Sequence, residues 1–256
     1  MPPVELNLND ALLIETGEKA AHMEMMTQEE FACLPTTRLR AGDVLLFDRR
    51  ETIGRGVDVA STMIRSVQGR LLRDLGCDGE TIARCKNYSH AAVCGFRDDG
   101  SIAKTKAMGV PGVWLSYFEM TRPHACETEL LRIVPGTVVM VRRQRHGGED
   151  APEKMGRLVA DYAWQDVMMR VKYPATELVT YWLWSWGINK LMLGRKFEKV
   201  FTHEADVCSG SVWRWCLAAG LYKDSSATDL RPEAWYPARL AADDERFRTV
   251  GVFLIV

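Results

Sequence analysis

Cys208 stands at the point where the sequence pattern predicts the start of a helix, in Val-Cys-Ser-Gly-Ser-Val-Trp (207–213). The first amides of a helix lack partners within it, and together with the helix dipole they favour the thiolate form of a cysteine. Small residues at Ser209 and Gly210 leave room for a substrate carbonyl, and the Cys208 amide is expected to hold an oxyanion. Asp206 is the expected N-cap. These features favour a nucleophile over the alternative, an inert core cysteine.

A thiolate nucleophile needs a base, and all five histidines of the chain precede Cys208. His90 opens an apolar segment, 89–96, that reads as a strand. An inward-pointing imidazole there needs a polar partner, and a thiol would supply one. The alternative is a hydrogen-bonded core histidine. The other candidates stand in polar, charged or loop-like segments: His22, His124, His146 and His203. We therefore predict His90 as the base.

The composition narrows the classes of function. The chain has 256 residues, enough for one large domain, and its 33 basic and 34 acidic residues give a net charge of -1. This balance argues against a general nucleic-acid binder. Seven cysteines without a C-x-x-C pair suggest neither a structural zinc site nor a disulfide framework, so no metal and no cofactor is predicted. A metal held by Cys77, Cys85 and His90 is the disfavoured alternative.

The first residues, Met-Pro-Pro-Val-Glu-Leu-Asn-Leu, lack the basic and apolar regions of a secretory signal. We therefore expect synthesis in a reducing cytoplasm. Later delivery outside the cell by a specialised secretion system stays open.

The elements around these residues predict an α+β fold with a small, mainly antiparallel sheet packed against helices. Residues 1–38 read as a polar, mostly helical lead-in, followed by one domain over 39–256. A turn followed by a short apolar strand is expected within 40–48, with further strands at 89–96, 101–108 and 247–256 and one or two more over 129–134 and 137–142. A hairpin turn is expected at 97–100 and a charged surface loop at 143–152. Helices are expected at 55–76, 153–171, 176–193, 208–220 and 232–242.

One predicted helix, within 178–193, carries three tryptophans among aliphatic residues. It is short for a membrane span. A buried helix or an apolar cleft wall is the favoured interpretation, and contact with a lipid or a membrane surface is the alternative.

Three motifs together resemble the circularly permuted NlpC-type papain-like cysteine hydrolases, in the YiiX-like branch related to lecithin–retinol acyltransferases. They are Arg-Ala-Gly-Asp-Val-Leu-Leu-Phe (40–47), Tyr-Ser-His-Ala-Ala-Val (88–93) and Cys-Ser-Gly-Ser-Val-Trp (208–213). The resemblance covers about residues 38–245 and implies a permuted papain-like fold with an insertion at about 51–86. It implies catalytic roles for His90 and Cys208.

The family commonly places a glutamate that orients the histidine on the next strand. The matching stretch, 104–110, has Lys106 at that position, and a cation cannot accept the imidazole N–H. The alternatives for the third member of the site are Thr105, Glu204 and a backbone carbonyl, or a site with no third member.

The resemblance implies a thiol peptidase or amidase acting on amide bonds, with peptidoglycan peptides as the leading substrate. A bacterial effector, with an immunity or secretion partner, would fit a chain without a signal. Two alternatives remain: a lipid acyltransferase or thioesterase on the same pair of residues, and a catalytically decayed binding module.

Overall fold

The computed structural model describes residues 23–35, 37–49, 68–95, 116–121, 123–172, 208–222 and 237–256. These ranges form an α+β structure with a mostly antiparallel open sheet, which confirms the predicted class. The expected helix at 176–193, the turn at 97–100 and the strand at 101–108 lie outside the described residues, as does most of the helix at 55–76. Among the helices of the described ranges, none has the length and hydrophobicity of a membrane-spanning segment.

Eight strands lie in the described part of the chain. They are β1 (Met23–Met26), β2 (Val44–Arg49), β3 (His90–Gly95), β4 (Ser116–Met120), β5 (Ala125–Glu129), β6 (Thr137–His146), β7 (Glu149–Asp150) and β8 (Phe247–Ile255). The sheet order is β1-β8-β6-β2-β3-β4-β5, and β7 pairs with β6 beside it. β1 runs parallel to β8, and every other pair is antiparallel.

Five described helices accompany the sheet. They are α1 (Gln28–Ala32), α2 (Gly79–Cys85), α3 (Glu153–Met168), α4 (Cys208–Ala218) and α5 (Pro237–Ala242). Residues 68–74 are also helical. α2 begins where the side chain of Asp78 accepts a hydrogen bond from the Thr81 amide at 2.6 Å, an N-cap for the first turn.

The sheet buries apolar side chains on both faces, which explains why its central strands are almost continuously apolar. Alternate residues of β2 separate accordingly. Val44 and Leu46 join a core with residues of α3, α4 and α5, whereas Leu45 and Phe47 join a second core with Phe31 of α1. The sheet is thus a central layer that fixes the helices on either side.

The Gly-Asp pair at the start of β2 anchors this layer. Asp43 is fully buried and accepts hydrogen bonds from Arg143 of β6 at 3.0 and 2.8 Å. Gly42, at φ +86°, lies so close to the backbone of Gly156 in α3 that neither residue has room for a Cβ atom. The motif therefore joins β2, β6 and α3 through one ion pair and one close backbone contact.

The structure corrects the prediction of a surface loop at 143–152. β6 continues to His146, and a two-residue turn at Gly147 and Gly148 leads into β7. Arg143 and Gln144 are buried. Their polarity suggested a loop, but Asp43 and the Gly42 carbonyl satisfy them inside the fold.

Two further segments differ from expectation. The predicted strand at 129–134 is wrong: β5 ends at Glu129, and Leu130–Arg132 form a 3-10 helix. Leu130 and Ile133 are the buried residues there, a spacing of three that suits a helical turn better than a strand.

The lead-in, predicted to be mostly helical, differs in its described part. That part begins with the strand β1 and contains only the short helix α1.

The buried Asp43–Arg143 pair generates a stability prediction. Asp43→Ala leaves the Arg143 charge without its main partner, so we expect a loss of about 3–5 kcal/mol in the free energy of unfolding. Urea denaturation measures the change. As a control, Arg157→Ala breaks a solvent-exposed pair with Glu153 and should cost about 1 kcal/mol or less. Equal losses in the two variants would contradict the anchoring role of Asp43.

Candidate active site

Cys208 is the first residue of α4, as the sequence predicts. It is 5% exposed and belongs to the core that α4 shares with Ala91 and Val93 of β3. The backbone amides of Ala91 and Ser209 donate hydrogen bonds to its sulfur. The thiol therefore lies where the start of a helix meets the start of a strand, and both elements contribute N–H groups to it.

His90 is the first residue of β3, again as predicted. It lies opposite Phe47 of β2, and the two rings are 5.9 Å apart between centroids. The His90 side chain is 18% exposed. It forms a hydrogen bond with the Cys208 thiol, so the structure brings the two predicted residues together.

Glu119 of β4 is the third member of the cluster. Its Oε2 lies 2.6 Å from Nε2 of His90. Glu119 is directly opposite Ala92 in the β3–β4 register, so it is a diagonal neighbour of His90, within reach of a long side chain. Because Glu119 occupies Nε2, the nitrogen left for the thiol is Nδ1. The Cys208 sulfur, the His90 imidazole and the Glu119 carboxylate thus form a continuous series of contacts.

The cluster favours a charged pair. Burial raises the pKa of Cys208, but the positive charge of His90, the hydrogen bond to it and the two backbone amides outweigh burial and lower that pKa below its ordinary value of 9.0. Burial opposes protonation of His90, but the thiolate and the Glu119 carboxylate together raise the pKa of His90 to about 10. The arrangement therefore favours a thiolate on Cys208 and a protonated imidazole on His90.

Contacts between helices hold α4 in place. Asp166 of α3 accepts hydrogen bonds from Trp215 Nε1 at 2.7 Å and from Arg214 at 2.6 Å. Cys216, the next residue of α4, is fully buried beside Gln144 of β6, and burial raises its pKa to about 12. Cys216 is therefore a packing residue, whereas the pKa of Cys208, in the same helix, is lowered.

The other predicted site residues have different outcomes. Thr105, Lys106, Glu204 and Asp206 lie outside the described residues, as do His22 and His203. His124 bonds through Nδ1 to the Ala125 carbonyl at 2.8 Å, and His146 ends β6 on the surface. Ser209 is fully buried, and hydrogen bonding by its backbone lowers the pKa of Cys208.

Sequence reasoning did not find Glu119. The family's orienting position was matched to Lys106, on a strand expected directly after the Arg-Asp-Asp-Gly turn, and the alternatives were Thr105, Glu204, a backbone carbonyl or no third member. In the described residues β4 is the strand that pairs with β3 on the side away from β2. A usable signal was present, because Glu119 is the one charged residue in the apolar run Tyr-Phe-Glu-Met (117–120). A carboxylate in such a strand needs a buried partner.

No protein-family model, curated protein or solved structure matches this chain. The assignment of the site therefore rests on its geometry and on the sequence motifs. Within the described ranges, no group of three or more His, Cys, Asp or Glu side chains is arranged to hold a metal ion, and Cys77, Cys85 and His90 do not form one.

The role of Glu119 can be tested through the thiol itself. Glu119→Gln removes the negative charge that supports the imidazolium, so the pKa of Cys208 should rise. We expect alkylation of Cys208 by iodoacetamide at pH 7 to slow about tenfold, the factor for one pKa unit. Peptide mapping by mass spectrometry isolates Cys208 from the other cysteines. Glu127→Gln, at an exposed position of β5, is the matched control and should leave the rate unchanged. An unchanged rate in Glu119→Gln would contradict the assigned cluster.

Proposed function

We propose that this protein is a cysteine hydrolase that cleaves amide bonds with Cys208 as nucleophile, His90 as acid and base, and Glu119 as the residue that orients His90. The observation that carries the proposal is the chain of contacts from the Cys208 thiol through His90 to Glu119, at the start of a helix. Elevated imidazole basicity and a lowered thiol pKa at one buried place are typical of a functional site.

The proposed reaction has two stages. The Cys208 thiolate attacks the carbonyl carbon, and the resulting oxyanion is stabilised by the Cys208 amide, which has no acceptor inside the helix. When the C–N bond breaks, the amine takes the proton from the His90 imidazolium and a thioester to Cys208 remains. Neutral His90 then takes a proton from water, the hydroxide attacks the thioester, and a carboxylic acid leaves as the thiolate–imidazolium pair is restored.

The permuted papain-like fold is part of the same proposal. The histidine strand precedes the cysteine helix in the chain, and α4 packs against β3. Both features agree with the order implied by the three motifs. The resemblance also supplies the proposed substrate, peptides of bacterial peptidoglycan, and the proposed setting, a bacterial effector delivered by a specialised secretion system and met by an immunity partner.

The substrate is tested with purified muropeptides, analysed by liquid chromatography and mass spectrometry. We expect new peptide fragments with free amino and carboxyl ends from the native protein. Cys208→Ala should abolish cleavage while retaining the fold, whereas Cys33→Ala, a change at an exposed cysteine, should retain it. Release of fatty acid from lipid vesicles without muropeptide cleavage would instead support the lipid acyltransferase or thioesterase reading. Cys208 inert to alkylation would support the decayed binding module.

The pH dependence of cleavage tests the charged pair. Activity should rise as Cys208 ionises, at a pH below 9.0, the ordinary value for a cysteine. It should fall as the pH passes about 10, because His90 then loses the proton that the leaving amine requires. The pH profile of kcat/KM measures both limbs. A profile with its alkaline limb near the ordinary histidine pKa of 6.5 would contradict the proposal.

A further inference from the structure

Glu119 has two carboxylate oxygens, and each has a separate partner. Oε2 faces Nε2 of His90 at 2.6 Å, while Oε1 accepts a hydrogen bond from the hydroxyl of Thr128 at 2.8 Å. The thiol of Cys126 also donates to Oε1, at 3.8 Å. The carboxylate is thus bound from the side opposite His90 by two residues of β5.

The β4–β5 register places both donors. Cys126 lies directly opposite Glu119, and Thr128 lies opposite Tyr117, two residues earlier on β4. Since side chains two residues apart on a strand share a face, Glu119, Cys126 and Thr128 project to the same side of the sheet. Both donors are partly buried, so water competes only partly for the carboxylate.

A donor on Oε1 has two physical effects. It stabilises the ionised form of a carboxylate that is only 7% exposed, and it fixes the rotation of the carboxylate so that Oε2 points at the imidazole. Thr128 supplies a neutral hydroxyl, whose proton rotates to point at the carboxylate oxygen. Burial and then the Glu119 charge raise the pKa of Cys126, so this thiol stays protonated and donates without competing as a nucleophile.

We propose that Thr128 is a positioning residue that acts through Glu119 and His90 on the reactivity of Cys208, with Cys126 as a weaker second donor. This inference rests on the proposed function, because it assigns Thr128 to the same chain of contacts. In this role Thr128 acts on Cys208 only through Glu119 and His90. Its effect therefore requires the Glu119 carboxylate, and that requirement distinguishes positioning from a general contribution to folding.

The test uses the rate at which iodoacetamide alkylates Cys208 at pH 7 in the full-length protein, measured by peptide mapping. Thr128→Val keeps the shape and the branched Cβ but removes the hydroxyl, and we expect a fall of about three- to tenfold, the factor for a partly lost hydrogen bond to a charged group. Thr128→Ser retains the hydroxyl and should restore the native rate. In a Glu119→Ala background, Thr128→Val should have no further effect.

A matched control lies on the same two strands. The Ser116 hydroxyl donates to Glu127 at 2.7 Å across β4 and β5, away from His90, so Ser116→Ala removes a similar bond and should leave the alkylation rate unchanged. An equal fall in Ser116→Ala, or a fall in Thr128→Val that persists without Glu119, would overturn the positioning role. So would native reactivity in Thr128→Val. Failure of the native Cys208 to react at all would instead overturn the proposed function.

Discussion

The register between β3 and β4 is the constraint on which the candidate site depends. Glu119 lies opposite Ala92, and this places its carboxylate diagonally beside His90. Side chains alternate along a strand, so a slip of one residue would move Glu119 to the other face of the sheet. The pairing with β4 begins at Ala92, and the Ala91 amide instead donates to Cys208. The same register thus supplies the carboxylate and leaves an N–H group for the sulfur.

Two buried cysteines of α4, Cys208 and Cys216, differ in the groups that surround their sulfur atoms. An isolated thiolate or imidazolium would be unfavourable in a core. Here the Cys208 thiolate and the His90 imidazolium stabilise each other, and the Glu119 carboxylate stabilises the imidazolium further. The opposite case is Cys216, eight residues later in the same helix, where burial without a charged partner keeps the thiol protonated. Partner groups, and not burial alone, therefore decide which cysteine has a lowered pKa.

The rigid layer beneath the site has its own buried charges. Asp43 and Arg143 join β2 to β6, and Asp166 joins α3 to α4 through Trp215. These contacts fix the sheet that carries His90 and the helix that carries Cys208 relative to each other. Such support matters because a catalytic pair must be held within a fraction of an ångström of its working geometry.

Local patterns in the sequence indicated the candidate residues whose placement depends on local structure. Small residues at a helix start indicated Cys208, and a polar residue opening an apolar strand indicated His90; the structure brings both together. Glu119 was missed because its role depends on a strand pairing 29 residues away, after a turn signal that favoured an earlier return strand. Arg143 was assigned to a loop because its partner, Asp43, is 100 residues away. Long-range pairing of charges is what sequence spacing does not reveal.

The most direct test of the charged pair is the protonation state of His90, measured by NMR from its ring nitrogen shifts as the pH is raised. We expect a protonated ring at neutral pH with a pKa of about 10 in the native protein, and a large fall in that pKa in Cys208→Ser, where the thiolate is lost. A neutral His90 ring at pH 7 in the native protein would contradict the charged pair.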